Sequence, residues 1–449
     1  TEGLHEGALV KFTTAVTLSA GTTTADLVSY DPPFTGAVTT DVQTKLSEYV
    51  SVKDFGAVGD GVTDDTVAIQ AAIDSGKTIY IPFGTYSISG INFSQAGQII
   101  YGDGMNTTVL IANTANCKLI SFSNGSVHYE NCSLRDIKLN GNNLANVGIQ
   151  LYDDSIAGGQ WRAAIIRVNI IGVLYGVNPT NIYAGNGTGV DNANDFILQS
   201  VAMFGGSYGL VSGGAIGSLI GRCTIQGQAI AGVKISTGGA IYLGDTTFSA
   251  NTWDISANNP QIISAIGAWF ENSTDGIYQV STAHNLSFSG CYLHTSSSTC
   301  LMDFGSSAGY HALHGCYIPA TTASSEIINV NSAATGAITG QYISLTYATT
   351  GKQVPLITGQ NTVKQIYGDI LSGDALVLPL TRGCFTVNVL IWDPAAGTTR
   401  SEASYTAFLF DGDNETVTLI SSHNGSNGPF AYTLAASNNS VTLTNTNSI

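Results

Sequence analysis

One pattern recurs through the middle of the chain at a nearly constant interval. Glycines stand at positions 221, 244, 267, 290, 315 and 340, spaced 23, 23, 23, 25 and 25 residues apart. Around each glycine, small or apolar residues alternate with polar or aromatic ones, which is the period of a β-strand. A fixed period of roughly 20 to 50 residues indicates stacked structural repeats. We therefore predict an all-β parallel β-helix with one turn per repeat.

The alternation assigns side chains to the inside or the outside of the coil, with equivalent residues of successive turns about 4.8 Å apart. Two inward columns are predicted, namely Cys223, Thr246, Ala268, Cys291 and Cys316, and Ile225, Phe248, Phe270, Leu293 and Ile318. Two outward columns are predicted as well, namely Thr224, Thr247, Trp269, Tyr292, Tyr317 and Tyr342, and Gln226, Ser249, Glu271, His294 and Pro319.

Charge and cysteine content exclude several classes of function. Only 10% of the 449 residues are charged, and the net charge is −16. Binding of nucleic acid or of an anionic membrane surface depends on basic residues, so neither partner is expected. No apolar run approaches the ~20 residues of a membrane span. The seven cysteines are scattered without a CxxC pair, which predicts free thiols and neither a disulfide framework nor a metal site. No cofactor is expected.

The most informative local stretch is VSVKDFGAVGDGVTDDTVAIQAAIDSGKTIYIPFGTYSISG, residues 50–90. Asp64 or Asp65 is suited to begin a helix of about ten residues. Its buried side is predicted to be Val67, Ile69, Ala72 and Ile73. GlyAspGly (59–61) is typical of a tight turn. The acids here do not have the spacing of an EF-hand calcium loop, so turn and cap roles are preferred.

This stretch closely resembles the opening of the pectate-lyase-like right-handed β-helix of bacteriophage tailspike proteins. The residues that carry the resemblance are ValLysAspPheGlyAla (52–57), GlyAspGly (59–61), ThrAspAsp (63–65), AlaIleGln (68–70) and IleProPheGlyThrTyr (81–86). The resemblance implies a homotrimer on the phage tail that acts on capsule or O-antigen at the host cell surface. It further implies folding in the host cytoplasm, and attachment of the N-terminal arm to the tail, the baseplate or an adaptor protein. The motif itself contains no catalytic residue.

Three regions are predicted along the chain. Residues 1–49 form an N-terminal arm rich in Thr, Ser and Gly, with a candidate short helix at 41–49. Residues 50–360 form the β-helix with its N-terminal capping helix, with loops inserted at about 141–160 and 177–195. Residues 361–449 lose the period and read as alternating strands separated by turns, which predicts a C-terminal antiparallel β-sandwich. The resemblance to tailspikes implies that this domain serves trimerisation or carbohydrate binding.

The outward columns predict a carbohydrate-binding patch of Trp269, Tyr292, His294 and Tyr317. Aromatic faces stack on the apolar C–H faces of sugars, and a linear aromatic track suits a polysaccharide. An alternative is that a neighbouring subunit or a loop covers these aromatic rings.

Carboxylates near this patch predict the catalytic residues. Hydrolysis of a glycosidic bond uses one carboxyl group as the acid and another as nucleophile or base, separated by roughly 5 or 6.5–9.5 Å. Glu271 is the first candidate, with Asp254 or Asp275 as its partner. Aligning Ile255 with Ile277 places Asp254 beside Gly276 and therefore near Asp275.

Three functions fit these patterns. The favoured one is a tailspike depolymerase, an endo-glycosidase with a two-carboxylate mechanism. A polysaccharide lyase on the same fold would need a base and a cation, and Lys138, Arg167, Arg222, Tyr292 and His294 are available. A non-catalytic adhesin would use the aromatic patch for binding alone.

Overall fold

A computed structural model describes residues 24–153, 155–156, 160–174, 180–184, 193–213, 217–236, 239–258, 262–280, 284–296, 300–303, 309–318, 326–329, 336–341, 343–345, 366–368, 375–379, 383–392, 400–409, 415–422, 432–437 and 440–445. The chain divides into two compact units, residues 1–50 and 51–449. Among the residues described, no helix is both long and apolar enough to cross a bilayer.

The described part of the first unit has no buried side chain, as expected for an arm without its own core. Its elements are a 3₁₀ turn, Ala25–Leu27, a two-stranded antiparallel pair, Ser29–Tyr30 with Thr40–Asp41, and the helix Val42–Leu46. The Asp41 carboxylate begins this helix by accepting a hydrogen bond from the Thr44 N–H at 2.6 Å. The short helix predicted within 41–49 is therefore present.

The second unit opens with a strand, Val50–Ser51, that begins before the unit boundary, then a 3₁₀ turn, Val52–Phe55, and the helix Thr66–Asp74. The helix buries Ile69, Ala72 and Ile73, as predicted. The prediction for Val67 is wrong, because its side chain is 80% exposed.

Asp65 stands at the N-cap position of this helix but uses its carboxylate elsewhere. Its two oxygens accept hydrogen bonds from the N–H groups of Val58 and Gly59, at 2.5 and 3.0 Å. Asp64 accepts from the Thr66 N–H at 3.0 Å. Asp65 therefore links the start of the helix to the preceding turn, and Asp64 accepts a hydrogen bond from the first residue of the helix.

The rest of the second unit up to residue 368 is a parallel β-helix with three strand positions in each turn, which we call face 1, face 2 and face 3. Face 1 contains Ile79–Ile81, Ile99–Gly102, Ile197–Gln199, Ser218–Gly221, Ala240–Gly244, Ile262–Ile266, His284–Ser289, Gly309–His314 and Gly336–Gln341. Face 2 contains Asp60–Asp64, Gly84–Ile88, Thr108–Ala112, Ala202–Phe204, Thr224–Gln226, Thr247–Ser249, Trp269–Ser273, Tyr292–Thr295, Tyr317–Ile318, Ile343–Leu345 and Ile366–Gly368. Two long strands, Ser133–Asn140 and Ala164–Ile171, run through both faces. The parallel β-helix prediction is confirmed.

Face 3 completes each turn. Its strands are Ile91–Asn92, Lys118–Ser121, Val147–Gln150, Thr180–Ala184, Tyr208–Ser212, Ala231–Ile235, Trp253–Ala257, Gly276–Val280, Cys300–Asp303 and Glu326–Asn329. Two of them lie inside the ranges predicted to be inserted loops, so 141–160 and 177–195 are only partly loop. An extra short pair, Gln160–Trp161 with Ala193–Asn194, lies outside the three faces. The turns that contain these two ranges are longer than the others. Leu139 pairs with Ile170, 31 residues later, and Ile165 pairs with Leu198, 33 residues later.

The inward columns on face 2 are present as predicted. Residues Ile225, Phe248, Phe270 and Leu293 are fully buried, and so, nearly, are Cys223, Thr246, Ala268, Cys291 and Cys316. The Phe248 and Phe270 rings stack at 4.8 Å, and Phe270 stacks on Phe288 of face 1 at 5.3 Å. Cys117, Cys132, Cys223, Cys291 and Cys316 are buried free thiols. The Ile318 side chain lies outside the described residues.

The regularly spaced glycines do not all occupy the same position in the turn. At the corner between faces 1 and 2, each turn places one residue in the left-handed region, with φ from 46° to 64°, at Asp136, Arg167, Ser200, Arg222, Asp245, Gly267, Gly290 and Gly315. Gly221 and Gly244 precede this corner by one residue, so Gly244 pairs with Ile266 and not with Gly267. The glycine alignment is thus wrong by one position there, although the predicted outward columns are in correct register, because Thr247 pairs with Trp269 and Ser249 with Glu271.

A second difference in register occurs further along. Tyr317 pairs with Ser344, and Leu313 pairs with Gly340, which is a shift of two residues from the predicted alignment. Tyr342 itself lies outside the described residues.

The last described residues are antiparallel strands. One sheet orders Ala375–Pro379, Ser440–Asn445 and Tyr432–Ser437, and another orders Gly383–Trp392, Arg400–Leu409 and Glu415–Ser422. The change from parallel to antiparallel pairing after the β-helix agrees with the lost period. The packing of the two sheets into a sandwich stays a prediction.

Candidate functional site

Three aromatic side chains form a continuous column on the outside of face 2. Trp269 pairs with Tyr292, and Tyr292 pairs with Tyr317. Trp269 is 45% exposed and Tyr317 43% exposed, while Tyr292 between them is half-buried. We call Trp269, Tyr292 and Tyr317 the aromatic column. The sequence prediction thus places all three side chains on the correct side of the wall.

The rings of the aromatic column partly cover one another. The Trp269 and Tyr292 rings are stacked, with centroids 3.8 Å apart and planes 9° apart, so their facing surfaces are closed to a ligand. Tyr317 is tilted by 35° at 5.8 Å from Tyr292. On the other side of Trp269 the register partner is Thr247, a small residue. The outer face of the indole and the ring edges are therefore the surfaces left for a sugar.

Glu271 is fixed beside the aromatic column. The Trp269 Nε1–H donates a hydrogen bond to Glu271 Oε2 at 2.8 Å. Among the described residues, Oε1 of the same carboxylate has no hydrogen-bond partner. The rings of Tyr292 and His294 are 6.4 Å apart, so His294 belongs to the same surface. One carboxylate, one imidazole and three aromatic rings are thus brought together.

A local irregularity lies at this carboxylate. Trp269 and Phe270 are in register with the next turn, but Ser273 pairs with Thr295, so one residue of the strand is extra. Asn272 lies in the left-handed region, with φ of 57°, as Gly205, Gly227 and Ala250 do at the same position of the preceding turns. Bulges re-aim side chains and are frequent near active sites. Glu271 follows Trp269 by two residues, so the alternation of the strand places both side chains on the same side of the wall.

Asp254 does not join this surface, which corrects the expected placement. The register pairs Trp253 with Gly276 and Ile255 with Tyr278, so Asp254 lies beside Ile277, one position from the alignment assumed. Its side chain is fully buried inside the coil. Alternation fails at this position because Asp254 and Ile255 are both buried, at the start of a face-3 strand.

The Asp254 carboxyl is held in the interior by a single neighbour. Asn251 Nδ2 donates to Oδ1 at 2.9 Å, and Oδ2 has no hydrogen-bond partner among the described residues. The nearby Ser273 hydroxyl donates instead to Thr295 Oγ1 at 3.0 Å. Burial raises the pKa of Asp254 well above its usual range, and the negative charge of Glu271 raises it further. Burial therefore favours the protonated form of Asp254, and a polymer outside the wall does not reach this residue.

The buried acid predicts a pH dependence of stability. Above about pH 3.9 the unfolded chain releases the Asp254 proton while the folded chain keeps it, so the unfolding free energy falls as pH rises, by up to about 1.4 kcal/mol per pH unit. Asp254→Asn is expected to remove this contribution and to gain stability relative to the parent between pH 5 and pH 8. Urea unfolding of both proteins at each pH measures the difference. Parallel profiles would show that Asp254 is ionised in the fold.

Asp275 lies at the surface, where the chain passes from face 2 to face 3. Its side chain is exposed and accepts a hydrogen bond from Thr274 Oγ1 at 3.3 Å. Its backbone N–H donates to the Thr252 carbonyl at 2.9 Å. Of the three predicted carboxylates, Glu271 and Asp275 therefore remain on the outside, on the two sides of one corner.

Sequence reasoning missed a polar column beneath this corner. It consists of Gln228, Asn251, Ser273 and Thr295, all buried. Asn251 Oδ1 accepts from the Gln228 N–H at 3.0 Å, and Thr295 Oγ1 donates to the Ser273 carbonyl at 2.7 Å. The signal was available, because these polar residues recur at intervals of 22 or 23 residues, like the apolar columns.

Among the described residues, no three His, Cys, Asp or Glu side chains cluster as they would around a metal ion.

Comparison with known proteins connects the opening of the β-helix to enzymes and phage proteins. Residues 49–151 match the family described as rhamnogalacturonase A/epimerase, pectate lyase-like. Mannuronan C5-epimerase AlgE4 of Azotobacter vinelandii is 37% identical over 107 residues, which are 20% of this chain and 19% of that protein. The preneck appendage protein of Bacillus phage PZA is 37% identical over 98 residues, 21% of this chain and 11% of that protein.

Among solved structures, the Dettilon tailspike protein superposes with a TM-score of 0.48 at 13% identity, covering 90% of each chain. The chain spans less than a fifth of the length of the curated relatives it matches. The resemblance expected from residues 50–90 is confirmed: this segment is pectate-lyase-like, and the chain is similar both to polysaccharide-modifying enzymes and to phage tail proteins.

Proposed function

We propose that this chain is a phage tailspike depolymerase, an endo-glycosidase that binds a bacterial surface polysaccharide on the aromatic column and hydrolyses it. The observation that carries the proposal is the hydrogen bond from Trp269 to Glu271 at 2.8 Å, which joins a sugar-stacking ring to a surface carboxylate. The similarity to pectate-lyase-like enzymes supports a polysaccharide as the substrate.

Glu271 is assigned the role of nucleophile or base. Its Oε2 accepts a hydrogen bond from the indole N–H, and its Oε1 is left for water or for the sugar. Asp275 is assigned the role of proton donor to the leaving oxygen, because it is the surface carboxyl four residues further along the chain. Asp254 has no role in contact with substrate, since it is buried behind the corner.

The remaining side chains bind the polymer. The open face of Trp269, toward Thr247, offers a stacking surface for one sugar ring. His294 and the hydroxyls of Tyr292 and Tyr317 stand on the same outward face and supply hydrogen bonds to sugar hydroxyls. The polymer is placed along the coil axis, in the direction in which the aromatic column runs.

The biological setting is proposed from the similarity to the preneck appendage protein of Bacillus phage PZA. The chain is placed on the virion tail as a homotrimer, with the N-terminal arm attached to the tail, the baseplate or an adaptor protein. Cleavage at the host cell surface serves host recognition.

Incubation with surface polysaccharide from susceptible bacteria tests the reaction class. A hydrolase is expected to release new reducing ends without the ultraviolet absorbance of an unsaturated uronate. Reducing ends together with that absorbance would identify a lyase, the chemistry suggested by the similarity to C5-epimerases. Binding without new reducing ends would exclude both the hydrolase and the lyase. Both outcomes contradict the hydrolase proposal while leaving the binding surface in place.

A further inference from the structure

The stretch of chain that builds the aromatic column contains no lysine and no arginine. No lysine or arginine occurs between Lys234 and Lys352, a run of 117 residues. The same run contains six acids, which are Asp245, Asp254, Glu271, Asp275, Asp303 and Glu326. A chain with 15 basic residues in 449 would place about four of them in such a run if they were evenly spread. Positive charge is therefore missing from this part of the β-helix.

The coil keeps the cations of earlier turns away from the column. On face 2 the nearest lysine along the register is Lys138, five turns from Trp269 and about 24 Å away at 4.8 Å per turn. That distance exceeds the Debye length of about 8 Å at physiological salt. Lys234 belongs to face 3, where its Nζ lies 5.0 Å from the centre of the Tyr208 ring.

Among the described residues of the earlier turns, a nearer cation is Arg222, and it is shielded. Arg222 occupies the corner between faces 1 and 2, two turns before the corner residue Gly267 and about 10 Å from it. Asp245 occupies the same corner in the turn between them, so a carboxylate separates the guanidinium from the turn of Trp269. The charges that do face a ligand at the aromatic column are those of Glu271 and, across the corner, Asp275.

Uncharged hydrogen-bonding groups continue the surface. Thr224 and Thr247 precede Trp269 in its column, and Gln226 and Ser249 precede Glu271 in the neighbouring column. Hydroxyl and amide groups match sugar hydroxyls, whereas a uronate or sulfate needs a cation to replace its lost water. We propose, resting on the proposed function, that this surface takes an uncharged polysaccharide and rejects uronate-containing or sulfated polymers by repulsion.

The first experiment uses an array of bacterial surface polysaccharides, half of them neutral and half containing uronate or sulfate. The full-length protein and its Trp269→Ala variant are applied in parallel, so that binding at the aromatic column is recognised by its loss in the variant. Trp269-dependent binding is expected on neutral polymers alone. Trp269-dependent binding to acidic polymers would overturn this inference but not the proposed function. Absence of any Trp269-dependent binding would overturn both.

The second experiment changes only charge. Oligosaccharides of a bound neutral polymer are oxidised at their primary hydroxyls to carboxylates, and dissociation constants of both forms are measured. Oxidation is expected to weaken binding about tenfold or more at low salt, and 0.5 M NaCl is expected to restore part of the loss, because salt screens repulsion. An acidic form that binds more tightly, and loses affinity with salt, would overturn the inference.

A matched pair of variants locates the effect. Ser249 pairs with Glu271 on face 2, and Ser256 is an outward residue of the following face-3 strand. Ser249→Lys is expected to bind the oxidised oligosaccharide at least threefold more tightly than the parent protein does. Ser256→Lys adds the same charge on another face and is expected to bind it no more tightly than the parent. Equal recovery by both variants would assign the repulsion to overall net charge and overturn the assignment to this surface.

Discussion

Replacing Glu271 with glutamine is expected to reduce cleavage by at least about 10³-fold while leaving polysaccharide binding almost unchanged. Glutamine has the size of glutamate, and its amide oxygen is able to accept the hydrogen bond from Trp269 Nε1 that the carboxylate accepts now at 2.8 Å. The stacked pair Trp269–Tyr292 therefore keeps its geometry. What disappears is the negative charge needed to attack the sugar or to activate water.

Two further variants make this result specific. Asp275→Asn is expected to lose activity as well, because the second carboxyl supplies the proton to the leaving oxygen. Asp245→Asn removes an exposed acid of the preceding turn and is expected to retain activity. Rates of reducing-end release and dissociation constants are measured for all three. Full activity of Glu271→Gln would remove the catalytic assignment and leave the fold description intact.

The second large effect concerns the interior. Phe270→Ala is expected to lower the unfolding free energy by about 3–5 kcal/mol, the range for deleting a buried aromatic ring. Phe270 is fully buried between the rings of Phe248 and Phe288, which lie 4.8 and 5.3 Å away with planes 12° from its own. Removing the middle ring separates the two others and leaves a cavity that the stacked strands have little freedom to close.

Tyr242→Ala is the matched control for this substitution. Tyr242 lies on face 1 of the preceding turn with 43% of its side chain exposed, so its loss is expected to change stability by less than about 1 kcal/mol. Urea unfolding followed by fluorescence and by circular dichroism measures both variants and shows whether the coil unfolds as one unit. Similar losses for the two variants would contradict the idea that the phenylalanine stack is a main source of stability.

The sequence predicts the wall of this molecule better than its corners. Within a face, strand alternation and the parallel register determine which way a side chain points, and Trp269, Glu271 and Tyr292 were placed correctly on that basis. At corners the chain leaves the two-residue period. Asp254 was expected outside because Ile255 was aligned with Ile277, whereas its partner in the structure is Tyr278. Asp254 and Ile255 are both buried, so the alternation along this strand does not reveal the error.

The glycine spacing illustrates the same difficulty. The corner between faces 1 and 2 requires a left-handed residue in each turn, and Gly267, Gly290 and Gly315 meet this requirement without strain. In earlier turns Arg222 and Asp245 adopt the left-handed conformation at this corner, so a search for glycine does not locate the corner there. The register shift between Phe270 and Ser273 depends on a one-residue difference between adjacent turns and has no signature in a single segment.

The unequal lengths of the turns have a consequence for how such a molecule changes over time. Paired residues are 31 apart at Leu139 and Ile170 and 33 apart at Ile165 and Leu198, yet 23 apart at Ile225 and Phe248, and the strands stay aligned in all three places. Segments of very different length are thus compatible with one scaffold. Insertions and deletions between strands therefore allow the outer surface to change during evolution while the core stays the same.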